Sequence, residues 1–138
     1  MRVFLDTNVL VSAFLTRGVC ADVLRYVLAK HVLITGEIVI DELQRVLRDK
    51  MRAPATGIAA VEKLLREHVV APTPRQAADL PIKDMADRWI VACAIGSKAE
   101  VLVTGDGELL KIASRVPVRI MSPRAFWETV RASANEEP

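Results

Sequence analysis

Apolar residues fall in two rhythms along this chain. Short unbroken runs occur at Val3–Leu5, Val32–Ile34, Val101–Val103 and Val118–Met121, with a briefer one at Val69 and Val70. Runs this short, rich in Val and Ile and without polar alternation, predict strands buried on both faces. Between them the spacing changes to three and four. Val19, Val23, Leu24, Val27 and Leu28 form one stripe, and Val39, Leu43, Val46 and Leu47 a second. Ile58, Val61, Leu64 and Leu65 form a third, and Trp89, Ile90, Ala94 and Ile95 a fourth. Leu109, Leu110 and Ile112 mark a short fifth. Ser122-Pro123 then supplies a cap hydroxyl and a first-turn proline for a last helix packed through Phe126, Trp127 and Val130. Strands alternating with helices predict right-handed βαβ units, hence an α/β chain with a mostly parallel sheet covered on both faces.

Length and composition narrow this picture. A chain of 138 residues fits one domain, taken here as 1–132, followed by a polar tail over 133–138. Met51–Gly57 reads as a hinge between helices, and the proline-bearing stretch Ala71–Pro81 as a connecting loop. Hydrophobic residues make up 51% and aromatics only 4%, so the core must be built from aliphatic side chains. That suits helices on a sheet better than a β-sandwich. Cys20 and Cys93 lie on apolar helical stripes and are expected to be free buried thiols. His31 and His68 flank strand-like runs and are expected at the surface. No apolar run approaches the ~18 residues a membrane helix needs, so no membrane role and a cytoplasmic location are expected. A formal charge of +2 does not by itself imply a polyanionic partner.

Acids interrupt the pattern where burial would not ask for them. Asp6 ends the first strand in FLDTNVL. Glu42 rides the edge of the buried stripe in IVIDELQRVL, while Asp41 turns to solvent. Asp87 opens a helix in KDMADRWIVACAI, and Asp106 follows a strand in VLVTGDGELL. Each Asp has two readings, as a helix cap or as a site ligand. In a doubly wound sheet all these positions face the carboxyl end of the strands, where ligands bind. Four carboxylates brought together repel one another and need a cation. An all-oxygen set without Cys or His matches Mg²⁺ or Mn²⁺. Asn8 and Thr104 add neutral oxygens beside Asp6 and Asp106 as supporting groups.

These stretches resemble the PIN domain. FLDTNVL, the mid-chain DEL, DMADRWIVACA, LVTGDGELL and the closing MSPRAFWE carry the likeness, which spans Met1 to about Val130. The resemblance implies a three-layer α/β/α sandwich with a roughly five-stranded parallel sheet. It implies a Mg²⁺- or Mn²⁺-dependent ribonuclease, and for chains of this size the toxin half of a toxin–antitoxin pair of the VapC type. Such toxins are dimers silenced by a small antitoxin protein. On this likeness Asp6, Glu42, Asp87 and Asp106 take the metal and catalytic roles, and Asn8 and Thr104 support them. Asp84 is an alternative or outer ligand in the third motif, and Glu108 stands where the family often carries a further Asp.

An RNA substrate must approach this acidic pocket. Without the four acids, 13 acidic residues face 19 basic ones, leaving the scaffold at +6. Arg17, Lys83 and Arg88 are candidate substrate contacts, as is the run Arg45, Arg48, Lys50 and Arg52, which also reads as a solvated helix face. Trp89 and Trp127 could stack a base, but their helical spacing with aliphatics favours core packing. The competing functions are a non-catalytic PIN-like module that binds RNA or protein, and a phosphotransfer domain. The second lacks its expected acid two residues beyond Asp6, where Asn8 stands.

Overall fold

The computed structural model describes residues 1–136, with side chains through 133. Its elements in chain order are β1 (Arg2–Leu5), α1 (Thr7–Leu15), α2 (Val19–Lys30), β2 (Val32–Gly36), α3 (Glu37–Asp49), α4 (Ala55–Arg66) and β3 (Val69–Ala71). There follow α5 (Met85–Gly96), β4 (Val101–Val103), α6 (Gly107–Lys111), β5 (Arg119–Met121) and α7 (Pro123–Glu136). All five expected strands are present. They form one parallel sheet in the order β3-β2-β1-β4-β5.

Successive residues of a strand point to opposite faces. Val3, Phe4 and Leu5 are all at 0% exposure, so helices must cover both faces of the central strand. The result is the three-layer α/β/α arrangement. Its core is aliphatic, with Phe4 and Phe126 the largest fully buried side chains. A smaller aromatic cluster joins the last helix to α2: Tyr26 meets Trp127 edge-on at 5.9 Å and His31 at 5.4 Å, and His31 meets Phe126. His31 is therefore half-buried, contrary to the surface position expected of it. Trp127 packs against the core as expected.

The chain runs outward from β1 through β2 to β3, then returns to lay β4 on the other side of β1. The direction of winding reverses between β1 and β4. A crevice must open there at the carboxyl ends of the strands, because the connections leave in opposite directions. α7 continues through Glu136, so the polar segment from Ser133 begins as helix. The part of the expected tail at 137–138 lies outside the described residues. The long connection between β3 and α5 is tied down by Arg88, whose Nε donates to the Ala78 carbonyl at 2.8 Å while Ala78 N–H donates back to Arg88 O at 3.0 Å.

At the end of β2, Gly36 packs against α5 with no room for a side chain. A Cβ there would stand 2.5 Å from Cys93 Sγ. Its φ of −143° is ordinary for any residue, so the constraint is packing alone. Gly36→Ala is expected to lower stability by about 1–3 kcal/mol through overpacking. Adding Cys93→Ala, which deletes the clashing sulfur, should recover most of that loss in denaturant unfolding. Equal instability of the single and double variants would contradict the packing account.

Candidate metal centre

Asp6 is the residue that leaves β1. Its N–H continues the sheet by donating to Val103 O at 2.9 Å, and its carbonyl starts α1 by accepting from Val9 and Leu10. Its carboxylate caps that helix, with Oδ1 accepting from Thr7 N–H at 2.7 Å. The other oxygen, Oδ2, accepts from Thr104 Oγ1–H at 2.7 Å and from Asn8 Nδ2–H at 3.3 Å. Cap and site are thus one arrangement: α1 begins where it does because the acid that ends β1 also satisfies its first turn.

Thr104 and Asn8 carry this fixation across the crevice. Thr104 follows β4, and its hydroxyl accepts from Asp106 N–H at 3.0 Å while donating to Asp6. Asn8 Oδ1 accepts from Gly105 N–H at 3.0 Å. Two side chains therefore lash the β1 and β4 ends together, and both are residues the sequence marks as supporting groups. Asp106 caps α6 by accepting from Glu108 N–H. Glu108 itself is an exposed acid of that first turn.

The third motif divides its labour differently from the sequence expectation, in which Asp87 immediately precedes the helix. Asp84 is the N-cap of α5, accepting from Ala86 N–H at 2.9 Å, and it is exposed. Asp87 lies inside the first turn, one position short of a full turn from Asp84, and is 9% exposed. Its carboxyl is pushed up to about 8, first by burial and then by a shared hydrogen bond and charge repulsion with Asp106. Asp84 and Asp6 add to that repulsion. Burial, then Asp106, likewise raises Asp6 against the hydrogen bonds that stabilise its charge. Glu42 is raised by burial, then by Asp6 and Asp84, with Arg45 opposing. The sheet thus brings the predicted acids into one electrostatic neighbourhood: Asp6 senses Asp106, Asp87 senses Asp106, Asp84 and Asp6, and Glu42 senses Asp6 and Asp84.

Asp6, Glu42 and Asp87 line one cavity of about 500 Å³ between α1 and α3, with Thr7 beside them and Lys50 also in its wall. Thr7, read from sequence only as a turn residue, is 3% exposed. Its hydroxyl leans toward Glu42 and favours the charged carboxylate, yet it makes no hydrogen bond of full geometry. None of the four acids forms an ion pair among the described residues. A proton kept on Asp87 relieves part of this repulsion, and a hard oxygen donor set of this kind suits a divalent cation. As the side chains stand, no three acidic, His or Cys groups among the described residues converge closely enough to hold an ion.

The basic candidates separate. Arg88 is committed to the Ala78 carbonyl and braces the loop. Lys83 is exposed beside Asp84 in sequence. Arg17 lines a different cavity, at the corner between α1 and α2, with Asp22 and Arg25. In the run along α3, Arg48 pairs with Asp49 at 2.9 Å, whereas Arg45 and Lys50 line cavities that Glu42 also walls.

A PIN domain family model matches residues 2–108 of the chain. The chain belongs to the PIN domain family. No curated protein matches it by sequence. Among solved structures it is similar to VapBC2 from Rickettsia felis bound to a DNA fragment from its promoter, with a TM-score of 0.64 and 20% identity over 88% of this chain and 98% of that one. VapBC-1 from nontypeable Haemophilus influenzae aligns with a TM-score of 0.63 and 22% identity, covering 90% and 99%. VapC20 of Mycobacterium tuberculosis, a Sarcin-Ricin loop cleaving toxin, aligns with a TM-score of 0.60 and 17% identity, covering 85% and 98%. These likenesses establish the PIN fold. Among the described residues no single helix of this domain is long and apolar enough to cross a membrane.

The raised Asp87 carboxyl has a consequence for stability. The folded protein keeps a proton between pH 4 and pH 8 that the unfolded chain releases, so stability falls as pH rises through that window. In chelator, the melting temperature should drop between pH 5 and pH 8.5. Asp87→Asn should flatten that slope and add about 1–2 kcal/mol at pH 8. An Asp87→Asn variant with the parent's pH slope would place the repulsion elsewhere.

Proposed function

We propose that this PIN domain is a Mg²⁺- or Mn²⁺-dependent endoribonuclease and the toxin member of a toxin–antitoxin pair. The observation that carries the reading is the set of four carboxylates at the β1/β4 reversal, with no basic partner among the described residues. Membership of the family and the toxin structures among its fold relatives support it. Asp6 and Asp106 would hold the ion most firmly, because each is fixed by hydrogen bonds at a strand end. Glu42 and Asp87 would complete the set, with Asp84 outermost. When bound, such an ion neutralises a phosphate oxygen and makes water a competent nucleophile near neutral pH.

The chain's own groups do the remaining work. Thr104 and Asn8 hold Asp6 in one rotamer and so keep an acceptor oxygen aimed into the crevice. Asp87, buried against Asp106, would face the attacking water from the first turn of α5 and orient it. Hydrolysis of this type breaks the P–O3′ bond and leaves a 5′-phosphate and a 3′-hydroxyl. It does not use the ribose 2′-hydroxyl, so any preference for RNA must arise in binding. A small antitoxin partner, a homodimer and a cytoplasmic setting belong to the same reading.

A non-catalytic PIN module that binds RNA or protein is the alternative. It is favoured by one observation, that no three of the acids already stand at coordination distance. Binding of Mn²⁺, followed by calorimetry or electron paramagnetic resonance, separates the two. The enzyme reading expects Asp6→Asn and Asp106→Asn to lose both Mn²⁺ binding and cleavage of RNA. Thr104→Val, which removes only the hydrogen bond to Asp6, should cost ~10–100-fold in either. Parent-like cleavage by the Asp6 and Asp106 variants would refute the four-acid site. The toxin role has its own test: expression should arrest growth, and co-expression of the adjacent small open reading frame should relieve it.

A further inference from the structure

Trp89 does not behave as its helical spacing leads one to expect. It is half-buried, it is absent from the packed core that Trp127 joins, and it has no aromatic neighbour among the described residues. Nor does its indole N–H find a hydrogen-bond partner there. Instead it lines a cavity of about 340 Å³ between α3 and α5, floored by Ile38 and Ile90. Arg45 and Thr73 complete the wall, and Glu42 closes the end toward the acidic crevice. Arg45 is exposed and makes no ion pair among the described residues.

An indole facing a cavity beside an unpaired guanidinium leaves flat apolar surface and a positive charge available to an occupant. Flat, apolar contact on one side, a cation for phosphate and a hydroxyl for an edge are the parts of a single-stranded nucleic-acid subsite. The volume lies within the ~300–1,000 Å³ of small-ligand pockets. Glu42 walls both this cavity and the one holding Asp6 and Asp87, so the two are neighbours across a single side chain. We infer that the Trp89–Arg45–Thr73 cavity takes an unstacked nucleobase of single-stranded RNA, one that flanks the phosphate held at the acidic crevice. This rests on the nuclease reading for the position of the scissile phosphate, while the base site itself needs no cleavage. The base stacks on the Trp89 indole, Arg45 meets the adjoining phosphate, and Thr73 offers a hydrogen bond to the base edge. Stacking is tolerant of base identity, so Thr73 is where any base preference would be set.

Fluorescence decides this without requiring turnover. The chain has two tryptophans, so Trp127→Phe leaves Trp89 as the sole reporter. In chelator, a mixed-sequence single-stranded RNA 10-mer should quench Trp89, and an abasic substitution at one position should abolish the quench. Trp89→Ala should weaken binding of that RNA roughly tenfold, with Trp89→Phe close to the parent. Arg45→Gln should weaken it and flatten its salt dependence, and Arg45→Lys should restore most of both. In Mg²⁺, Trp89→Ala should raise KM and leave kcat near the parent value. No quench, undiminished binding by Trp89→Ala, or equal quenching by a wholly abasic strand would overturn the inference. So would a Trp89 response to a protein partner but not to RNA. Quenching by RNA in a parent that cuts nothing would uphold the base site and sink the nuclease reading. Cleavage with an unchanged KM in Trp89→Ala would do the reverse.

Discussion

The whole site depends on one adjacency, β1 beside β4. These strands are almost a hundred residues apart in the chain, yet Phe4 pairs with Leu102 and Leu5 with Val103. Once that register is set, the residues that leave the two strands have to meet. Asp6 emerges next to Thr104, and the hydroxyl-to-carboxylate bond at 2.7 Å closes the contact. A slip of one residue in either strand would turn Phe4 or Leu102 toward the opposite face and disrupt packing on both sides of the sheet. Hydrophobic register and site geometry are consequently the same constraint. The energy that aligns the acids is the energy of burying Val, Leu and Phe, which is large and indifferent to chemistry.

Against that gain stands a concentration of like charge. Asp6 and Asp87 are buried, Glu42 is half-buried, and each carboxyl is raised by burial and by its neighbours. Helix capping offsets part of this cost. Asp6, Asp84 and Asp106 each accept a backbone N–H at the start of a helix, where the dipole also favours negative charge. Asp87 differs, lying inside the first turn with no such bond among the described residues, and burial and its neighbours raise its carboxyl to about 8. The fold thus stabilises three of the acids locally and leaves the others to be stabilised by whatever binds.

Much of this was legible in the sequence, for reasons that differ by element. The strands could be read because parallel strands buried on both faces leave unbroken apolar runs, as at Val101–Val103. The four acids could be read because burial makes a misplaced charge conspicuous. The distinction between cap and ligand could not, since it presupposes a choice that Asp6 does not make: one oxygen caps α1 while the other is held in the crevice. Arg88 looked like a free cation beside the site because nothing in a linear pattern shows that the loop bearing Ala78 folds back onto it. His31 looked exposed because it stands just outside the apolar run that begins at Val32, whereas its neighbours in space are Tyr26 and Phe126.

Trp89 is the most instructive of these cases. Position within an apolar stripe predicts which side of a helix faces inward, but not whether anything fills the space it faces. Along α5, Ile90, Val91, Cys93 and Ala94 do reach the core. Trp89 lies at the margin of that stripe, and its ring lines the gap between α5 and α3. On α3, Arg48 turns back to Asp49, while Arg45 faces the gap. Glu42, one turn before Arg45, borders both that gap and the acidic crevice. A single turn of α3 therefore sets an acid that borders both chambers beside a cation that borders the Trp89 gap, the order of charges that the proposed RNA strand would require in passing from the acidic crevice to the base pocket.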